Sequence, residues 1–255
     1  MEFAAFFQPV FRPSSGRIVG AEALARGRHP SRGLVSPAVF IPPLERSGAI
    51  VDLDLAIFGQ CCRFLRDRLD KGAVIVPLNC NFSRLHMQND AFPETVKSIV
   101  DGFGVPIELL ELELTENIVM EDLERAERLC RRLKDLGFRL ALDDFGSGYS
   151  SLATLQNLPI DVLKLDRRFL MSSESGARCK AIPDGVVSIA DKLAVNVVVE
   201  GVETRAQASM LVRMDDRLIP PGFLYSRPVP RDAPAPQSPA ALTPPHDSTH
   251  RPTRR

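Results

Sequence analysis

Short apolar runs recur along the chain, and polar residues bound each of them. Their β-branched and leucine-rich composition is typical of buried strands. Longer amphipathic segments separate the runs. The clearest is 121–137, which has apolar side chains at helical spacing and Gly137 as a stop signal. The predicted strands occupy 17–24, 73–82, 109–116, 138–145, 160–166 and 195–201.

The alternation of strands and helices predicts a parallel sheet in an α/β fold. A doubly wound sheet that binds a dinucleotide would carry a GxGxxG turn after its first strand, and no such turn is present. In a chain of 255 residues we therefore favour a TIM-like (β/α)8 barrel.

The last 25 residues differ from the rest in composition. The segment 231–255 contains six prolines, and Leu242 is its only large aliphatic side chain. Such a segment cannot bury enough apolar surface to offset the loss of chain entropy on folding. We therefore expect one domain over 1–230 and a Pro-rich disordered tail over 231–255.

Charge and cysteine content narrow the class of protein further. The chain has 32 basic and 32 acidic residues, so no overall basic field exists to hold a nucleic-acid polymer or a membrane surface. No run approaches the roughly 18 apolar residues of a membrane span. The five cysteines show no CxxC spacing, which favours reduced thiols. We expect a cytoplasmic protein without a membrane segment.

Polar groups stand near the ends of the predicted strands, where barrel enzymes carry their active sites. Any one of them could simply cap the next helix. Carboxylates gathered at one barrel mouth, however, would raise each other's pKa values unless cations lay between them. Oxygen ligands without His or Cys indicate Mg²⁺ or Mn²⁺. The candidates are Glu22, Asn81, Glu113, Glu116, Asp143, Asp144, Lys164, Asp166 and Glu200.

Asp143 and Asp144 are adjacent, which suggests a site for two metal ions. Neighbouring strand residues point to opposite sides, so the pair could serve two ions from one strand end. Two divalent ions form the usual clamp for displacement at phosphorus. Lys164 would then lie near the attacking water. A plain salt bridge between Lys164 and one of the acids remains an alternative.

These residues sit in motifs that resemble the EAL-domain cyclic di-GMP phosphodiesterases. The tripeptide Glu22-Ala23-Leu24 alone would be uninformative, but an ordered set of motifs follows it and the similarity covers residues 6–230. The motifs are NFSRL (81–85), ELTEN (113–117), LALDDFGSGYSSL (140–152), LPIDVLKLD (158–166), VVEGVET (198–204) and GFLYSRPVP (222–230). The resemblance implies the EAL type of TIM-like barrel, in which one strand can run antiparallel.

The resemblance also implies a role for each matched residue. Lys164 would contact the catalytic water and Arg26 a ligand phosphate. Gln8 would lie near the ligand, and Glu116 would position the DDFGSGYSS loop rather than bind metal. Glu22, Asp143 and Asp144 would act in catalysis as metal ligands. The implied ligand sets are Glu22, Asn81, Glu113 and Asp143 for one Mg²⁺ or Mn²⁺ ion, and Asp143, Asp144 and Glu200 for the other.

Three hypotheses about function follow. The first is hydrolysis of cyclic di-GMP to linear pGpG by a two-metal-ion mechanism in bacterial signalling, by a protein expected from the resemblance to be a homodimer. The second is a degenerate EAL domain that only binds cyclic di-GMP or a protein partner. It is suggested by Pro221, which stands where the family usually has Gln and cannot supply a side-chain amide. The third is an enolase-type barrel with one Mg²⁺ and Lys164 as base. It leaves Asn81 and the adjacent pair Asp143 and Asp144 unused.

Overall fold

The computed structural model describes residues 1–12, 15–115, 122–145, 152–165, 177–202, 204 and 228–233. Within these ranges helices and strands alternate from residue 50 to residue 199, after three N-terminal strands and a first helix. The strands are β1 Glu2–Phe11, β2 Ile18–His29, β3 Gly33–Val35, β4 Leu78–Phe82, β5 Leu110–Thr115, β6 Arg139–Phe145, β7 Val162–Leu165, β8 Asn196–Val199 and β9 Val229–Pro230. The helices are α1 Pro37–Ser47, α2 Ile50–Asp70, α3 Phe92–Phe103, α4 Leu123–Asp135, α5 Leu152–Asn157 and α6 Ala177–Lys192, with short 3-10 turns at Arg84–Gln88 and Ile107–Leu109.

The strands form one sheet in the order β8-β7-β6-β5-β4-β2-β1-β9, with β3 paired to β2. Along this order, every pairing from β8 to β2 is parallel, whereas β3 runs antiparallel to β2. β1 runs antiparallel to β2, and β9 antiparallel to β1. The sheet is strongly curved, because the Nζ atom of Lys164 on β7 lies 3.9 Å from Oε2 of Glu22 on β2, although β4, β5 and β6 separate the two strands. The predicted TIM-like α/β barrel is confirmed.

Helix α4 shows how local sequence sets an element. Asp122 caps its N-terminus by accepting a hydrogen bond from the Arg125 backbone N–H at 2.9 Å. Basic residues occupy the last turn, where they complement the helix dipole. Gly137 then adopts φ +102°, a backbone angle that residues with a Cβ atom rarely adopt, and ends the segment. The helix predicted over 121–137 is confirmed with slightly narrower bounds.

The core lies between the sheet and the helices that cover its outer face. Phe58 of α2 contacts Phe82 of β4 edge-on at 5.4 Å and Phe138 at 6.5 Å between ring centroids. Cys61, Cys62, Cys80 and Cys130 are free and buried within this layer, and the side chain of Cys179 lies outside the described residues. Burial raises the pKa of the Cys130 thiol to about 12, so this group is inert at neutral pH.

The described chain reaches three residues beyond the predicted domain boundary at 230. Val229 and Pro230 pair with β1, and Arg231 forms an ion pair with Asp67 of α2. The remainder of the predicted tail lies outside the described residues, so its disorder stays a prediction. No helix in the described ranges combines the length and apolarity that a membrane crossing needs.

Candidate metal centre

Three carboxylates from three parts of the sheet meet at one point. Glu113 lies on β5, Asp143 on β6, and Glu200 directly after β8. One oxygen from each lies within 4.8 Å of the other two. Parallel strands bring their carboxyl ends to the same rim, which explains why residues so distant in sequence converge. The predicted convergence of Glu113, Asp143 and Glu200 therefore exists in the structure.

Lys164 lies in the middle of this group. Its side chain is only 4% exposed, and its Nζ atom is 2.5 Å from Glu113 Oε2 and 2.9 Å from Glu200 Oε1. Both contacts join the ammonium group to a carboxylate. The lysine thus brings a positive charge into the middle of the carboxylates.

Glu22 and Asn81 stand beside the three carboxylates. Asn81 Nδ2 donates to Glu22 Oε1 at 3.3 Å, and Glu22 Oε2 lies 3.9 Å from Lys164 Nζ. The sequence pattern placed Glu22 at a strand end, and this was wrong. Glu22 lies in the first half of β2, which leaves β4 after Ala23 and continues by pairing with β1 and β3.

Two further predicted residues share the face of Glu22. Gln8 on β1 is directly opposite Glu22 in the antiparallel ladder and is buried. Arg26 follows Glu22 by four residues along β2, so its side chain points to the same side. Burial lowers the pKa of Arg26, and the charge of Glu22 opposes that shift. Both residues therefore border the carboxylate group.

The backbone is irregular at the paired aspartates. The β6–β7 register shifts between Leu142 and Phe145, and Asp144 has φ +58°. Asp143 is half-buried, whereas Asp144 is exposed and lies outside the group of three carboxylates. The expected simple alternation of two strand residues does not hold here. A bulge with a strained residue re-aims adjacent side chains, and such strain is common at functional sites.

The electrostatics of the centre favour added positive charge. Burial raises the pKa of Glu113 well above its usual 4.5, and the charges of Asp143, Glu22 and Glu200 act in the same direction against the effect of Lys164. Burial alone would lower the pKa of Lys164. The surrounding carboxylates, Glu113 first, nevertheless raise it well above 10.5. One ammonium group is therefore shared among four negative side chains.

The donor set fits a hard divalent cation. Asp143 Oδ1 is a buried oxygen without a hydrogen-bond partner among the described residues, and the buried Glu113 Oε2 forms an ion pair with Lys164. Buried acceptors are costly when unpaired, and carboxylate oxygens are the preferred ligands of Mg²⁺ and Mn²⁺. The residues present can thus hold a cation of this type.

A supporting residue was missed by sequence reasoning. Asp54 on α2 accepts a hydrogen bond from the Ser83 backbone N–H at 2.8 Å, and its Oδ2 atom lies 3.1 Å from His86 Nε2. This contact anchors the turn after β4, the strand that carries Asn81. The available signal was a carboxylate four residues after Ile50, on the apolar face of the amphipathic segment that became α2. Glu116, Asp166 and Pro221 lie outside the described residues.

Fold and site together define an α/β barrel with a cluster of carboxylates that can hold a cation at the carboxyl ends of its strands. The family model for the EAL domain matches residues 1–228. The chain belongs to the EAL domain family.

Relatives and solved structures extend this result. The chain is 38% identical over 226 residues to the cyclic di-GMP phosphodiesterase NbdA of Pseudomonas aeruginosa, covering 88% of this chain and 28% of that protein. It is 35% identical over 227 residues to the oxygen sensor protein DosP of Escherichia coli, covering 89% and 28%. The structure of the PaMucR phosphodiesterase in complex with c-di-GMP aligns with a TM-score of 0.82 and 33% identity, covering 89% of this chain and 92% of that one. The chain spans 28% to 35% of the length of the first curated relatives it matches.

Proposed function

We propose that this chain hydrolyses cyclic di-GMP to linear pGpG with two divalent cations, Mg²⁺ or Mn²⁺. The observation that carries the proposal is the convergence of Glu113, Asp143 and Glu200 around Lys164, where the buried Asp143 Oδ1 lacks a hydrogen-bond partner in the described ranges. Family membership and the names of relatives such as NbdA supply the substrate. The enolase-type alternative loses its support, because the chain belongs to a different family.

The proposed ligand sets follow the layout of the site. Asp143 would be shared between the two ions, because it lies beside both Glu113 and Glu200. Asn81 and Glu22 already contact each other and would complete one set. Asp144 would serve the other together with Glu200, as the family resemblance implies. When bound, such a pair of cations neutralises developing phosphate charge and lowers the pKa of water.

The chain's own residues would then orient the substrate and the water. Lys164 can hold the attacking water from within the barrel, since its buried ammonium lies among the proposed metal ligands Glu113, Glu200 and Glu22. Arg26, half-buried on the face of Glu22, can bind a phosphate oxygen of cyclic di-GMP, and Gln8 can contact the ligand from β1. Glu116 is proposed to position the following loop. A homodimer in the cytoplasm belongs to the same proposal and rests on family resemblance and composition.

The binding-only alternative is favoured by one observation, Pro221 in place of the usual Gln. Loss of that amide would reduce contacts near the reacting centre without removing any proposed metal ligand. In that case the chain would bind cyclic di-GMP and form no pGpG.

The test incubates the purified chain with cyclic di-GMP and either Mg²⁺ or Mn²⁺, and measures pGpG by chromatography. We expect Asp143→Asn to lower turnover by at least about a hundredfold while the fold is retained, because the shared ligand is weakened. The matched control is Asp135→Asn, which makes the same change at an exposed carboxylate of α4 and should leave turnover unchanged. Binding of cyclic di-GMP without formation of pGpG would support the receptor function. Full activity of Asp143→Asn would show that Asp143 is not a ligand shared by the two ions.

A further inference from the structure

The barrel lumen is polar at the end opposite the metal centre. TIM barrels usually fill this region with branched aliphatic side chains. Here Asn79, Glu111 and Arg139 lie in register at the starts of β4, β5 and β6. Asn79 Nδ2 donates to Glu111 Oε1 at 3.0 Å, and Arg139 Nε donates to Glu111 Oε2 at 3.3 Å. A fixed hydrogen-bonded chain therefore crosses three strands where packing side chains would be expected.

These three residues line a cavity of about 300 Å³, here named the lumen chamber. Arg12, directly after β1, joins them, and Val10, Val19, Pro77, Val162 and Val198 supply apolar wall. The chamber extends along the lumen as far as Glu22 and Lys164. Its volume lies at the lower end of the range for small-molecule pockets.

Two groups in the lumen chamber lack partners in the part of the chain that the structure describes. Asn79 is 9% exposed, yet its Oδ1 atom is buried and accepts no hydrogen bond. Among the described residues, the Arg12 side chain makes no hydrogen bond or ion pair. Arg139, in contrast, forms an ion pair with Glu111. One acceptor and one cation are thus presented to the same space. Buried polar atoms of proteins rarely stay unpaired.

We propose that the lumen chamber binds a small organic monoanion that also carries a hydroxyl or amino donor. The anionic group pairs with the Arg12 guanidinium, the donor hydrogen-bonds to Asn79 Oδ1, and the carbon skeleton lies against the valine wall. The charges fit one negative group, because Glu111 is already balanced by Arg139. The proposal goes beyond the proposed hydrolysis and does not require it.

The test uses the full chain in EDTA and three probes of similar size. Glycolate carries both an anion and a donor, acetate carries only the anion, and ethylene glycol carries only the donor. Binding is followed by NMR through the side-chain amide protons of Asn79 and the Nε proton of Arg139. We expect saturable shifts with glycolate and a Kd at least about tenfold weaker for the other two probes, because each loses one contact.

Two variants locate the binding site. Arg12→Gln should weaken glycolate binding at least about tenfold, whereas Arg17→Gln, on the exposed far side of the same hairpin turn, should not change it. Arg26→Ala should also leave the Kd unchanged. Three outcomes would overturn the proposal: no shift at tens of millimolar glycolate, which indicates a chamber filled only by water; loss of binding in Arg26→Ala, which places the probe in the metal centre; or equal affinity for all three probes.

Discussion

Lys164 is the residue on which the charge balance of the centre depends. Its ammonium group is buried among Glu113, Glu200 and Glu22 and lies 3.9 Å or less from a carboxylate oxygen of each. A buried ion pair contributes little when both members are compared with apolar replacements. Removal of one member is costly, because the other charge stays buried alone. Lys164 is therefore expected to be a structural counter-ion as well as a proposed contact to water.

The substitution Lys164→Met tests this structural role. In EDTA at neutral pH, we expect the free energy of unfolding to fall by about 3 kcal/mol, because Glu113 would stay buried beside like charges without a counter-ion. Urea unfolding followed by circular dichroism measures the change. The control is Lys97→Met on α3, whose pair with Asp101 is exposed and should contribute about 0.5 kcal/mol or less. Equal stability of wild type and Lys164→Met would show that the lysine does not offset the charge of Glu113.

At the scale of elements, α2 and β4 act together to place Asn81. Ser83 caps the 3-10 turn after β4 by accepting from the Leu85 backbone N–H. Asp54 of α2 then holds the Ser83 backbone and the His86 ring. His86 is 1% exposed and contacts the ring of Phe92 at 4.7 Å. The end of β4 is thus tied to a helix on the outer face of the sheet.

Asp54→Ala should therefore destabilise the turn after β4. We expect a loss of about 2 kcal/mol in the free energy of unfolding, because the Ser83 N–H and the His86 ring lose their acceptor in a buried place. Faster hydrogen exchange at the Ser83 amide would locate the effect. Asp52→Ala is the matched control, since Asp52 is exposed two residues earlier in the first turn of α2 and its interaction with the helix dipole contributes less than about 1 kcal/mol. An unchanged Ser83 exchange rate would contradict the anchoring role.

The same elements show what local sequence could predict. The apolar runs that form β4 to β8 could be predicted because strands buried on both faces are continuously apolar. These strands bring Glu113, Asp143 and Glu200 to one rim of the sheet. β1 and the C-terminal part of β2 were not predicted. Glu2–Phe11 and Ile18–His29 pair antiparallel, and this pairing depends on how the chain is arranged in the sheet rather than on local sequence. The positive φ of Asp144 and the contact from Asp54 to Ser83 also depend on tertiary structure. No regular spacing of apolar and polar residues in the sequence indicates either feature.

At the scale of the whole molecule, α2 and β9 hold the hairpin of β1 and β2 in the sheet. Gln60 of α2 accepts from the Ala5 backbone N–H at 2.9 Å and donates to the Phe3 carbonyl at 3.2 Å. On the other edge of β1, Val229 and Pro230 pair with Phe7 and Phe6. Val229 also lines an apolar cavity of about 300 Å³ between α2 and the sheet. The segment 229–233 therefore covers apolar surface that would otherwise be open.

Two truncations measure the contribution of this segment. Removal of 229–255 deletes β9 and the ion pair of Arg231 with Asp67. We expect a loss of about 2 kcal/mol, which corresponds to a fall in Tm of about 4–8 °C for a domain of this size. Removal of 234–255 alone is the control and should leave Tm unchanged, because the composition of that segment offers little apolar surface to bury. Differential scanning calorimetry of both proteins gives the comparison. If the longer truncation melted with the wild type, closure of the β1 edge would not stabilise the barrel, and a large loss in the shorter one would place the boundary of the folded domain beyond Ala233.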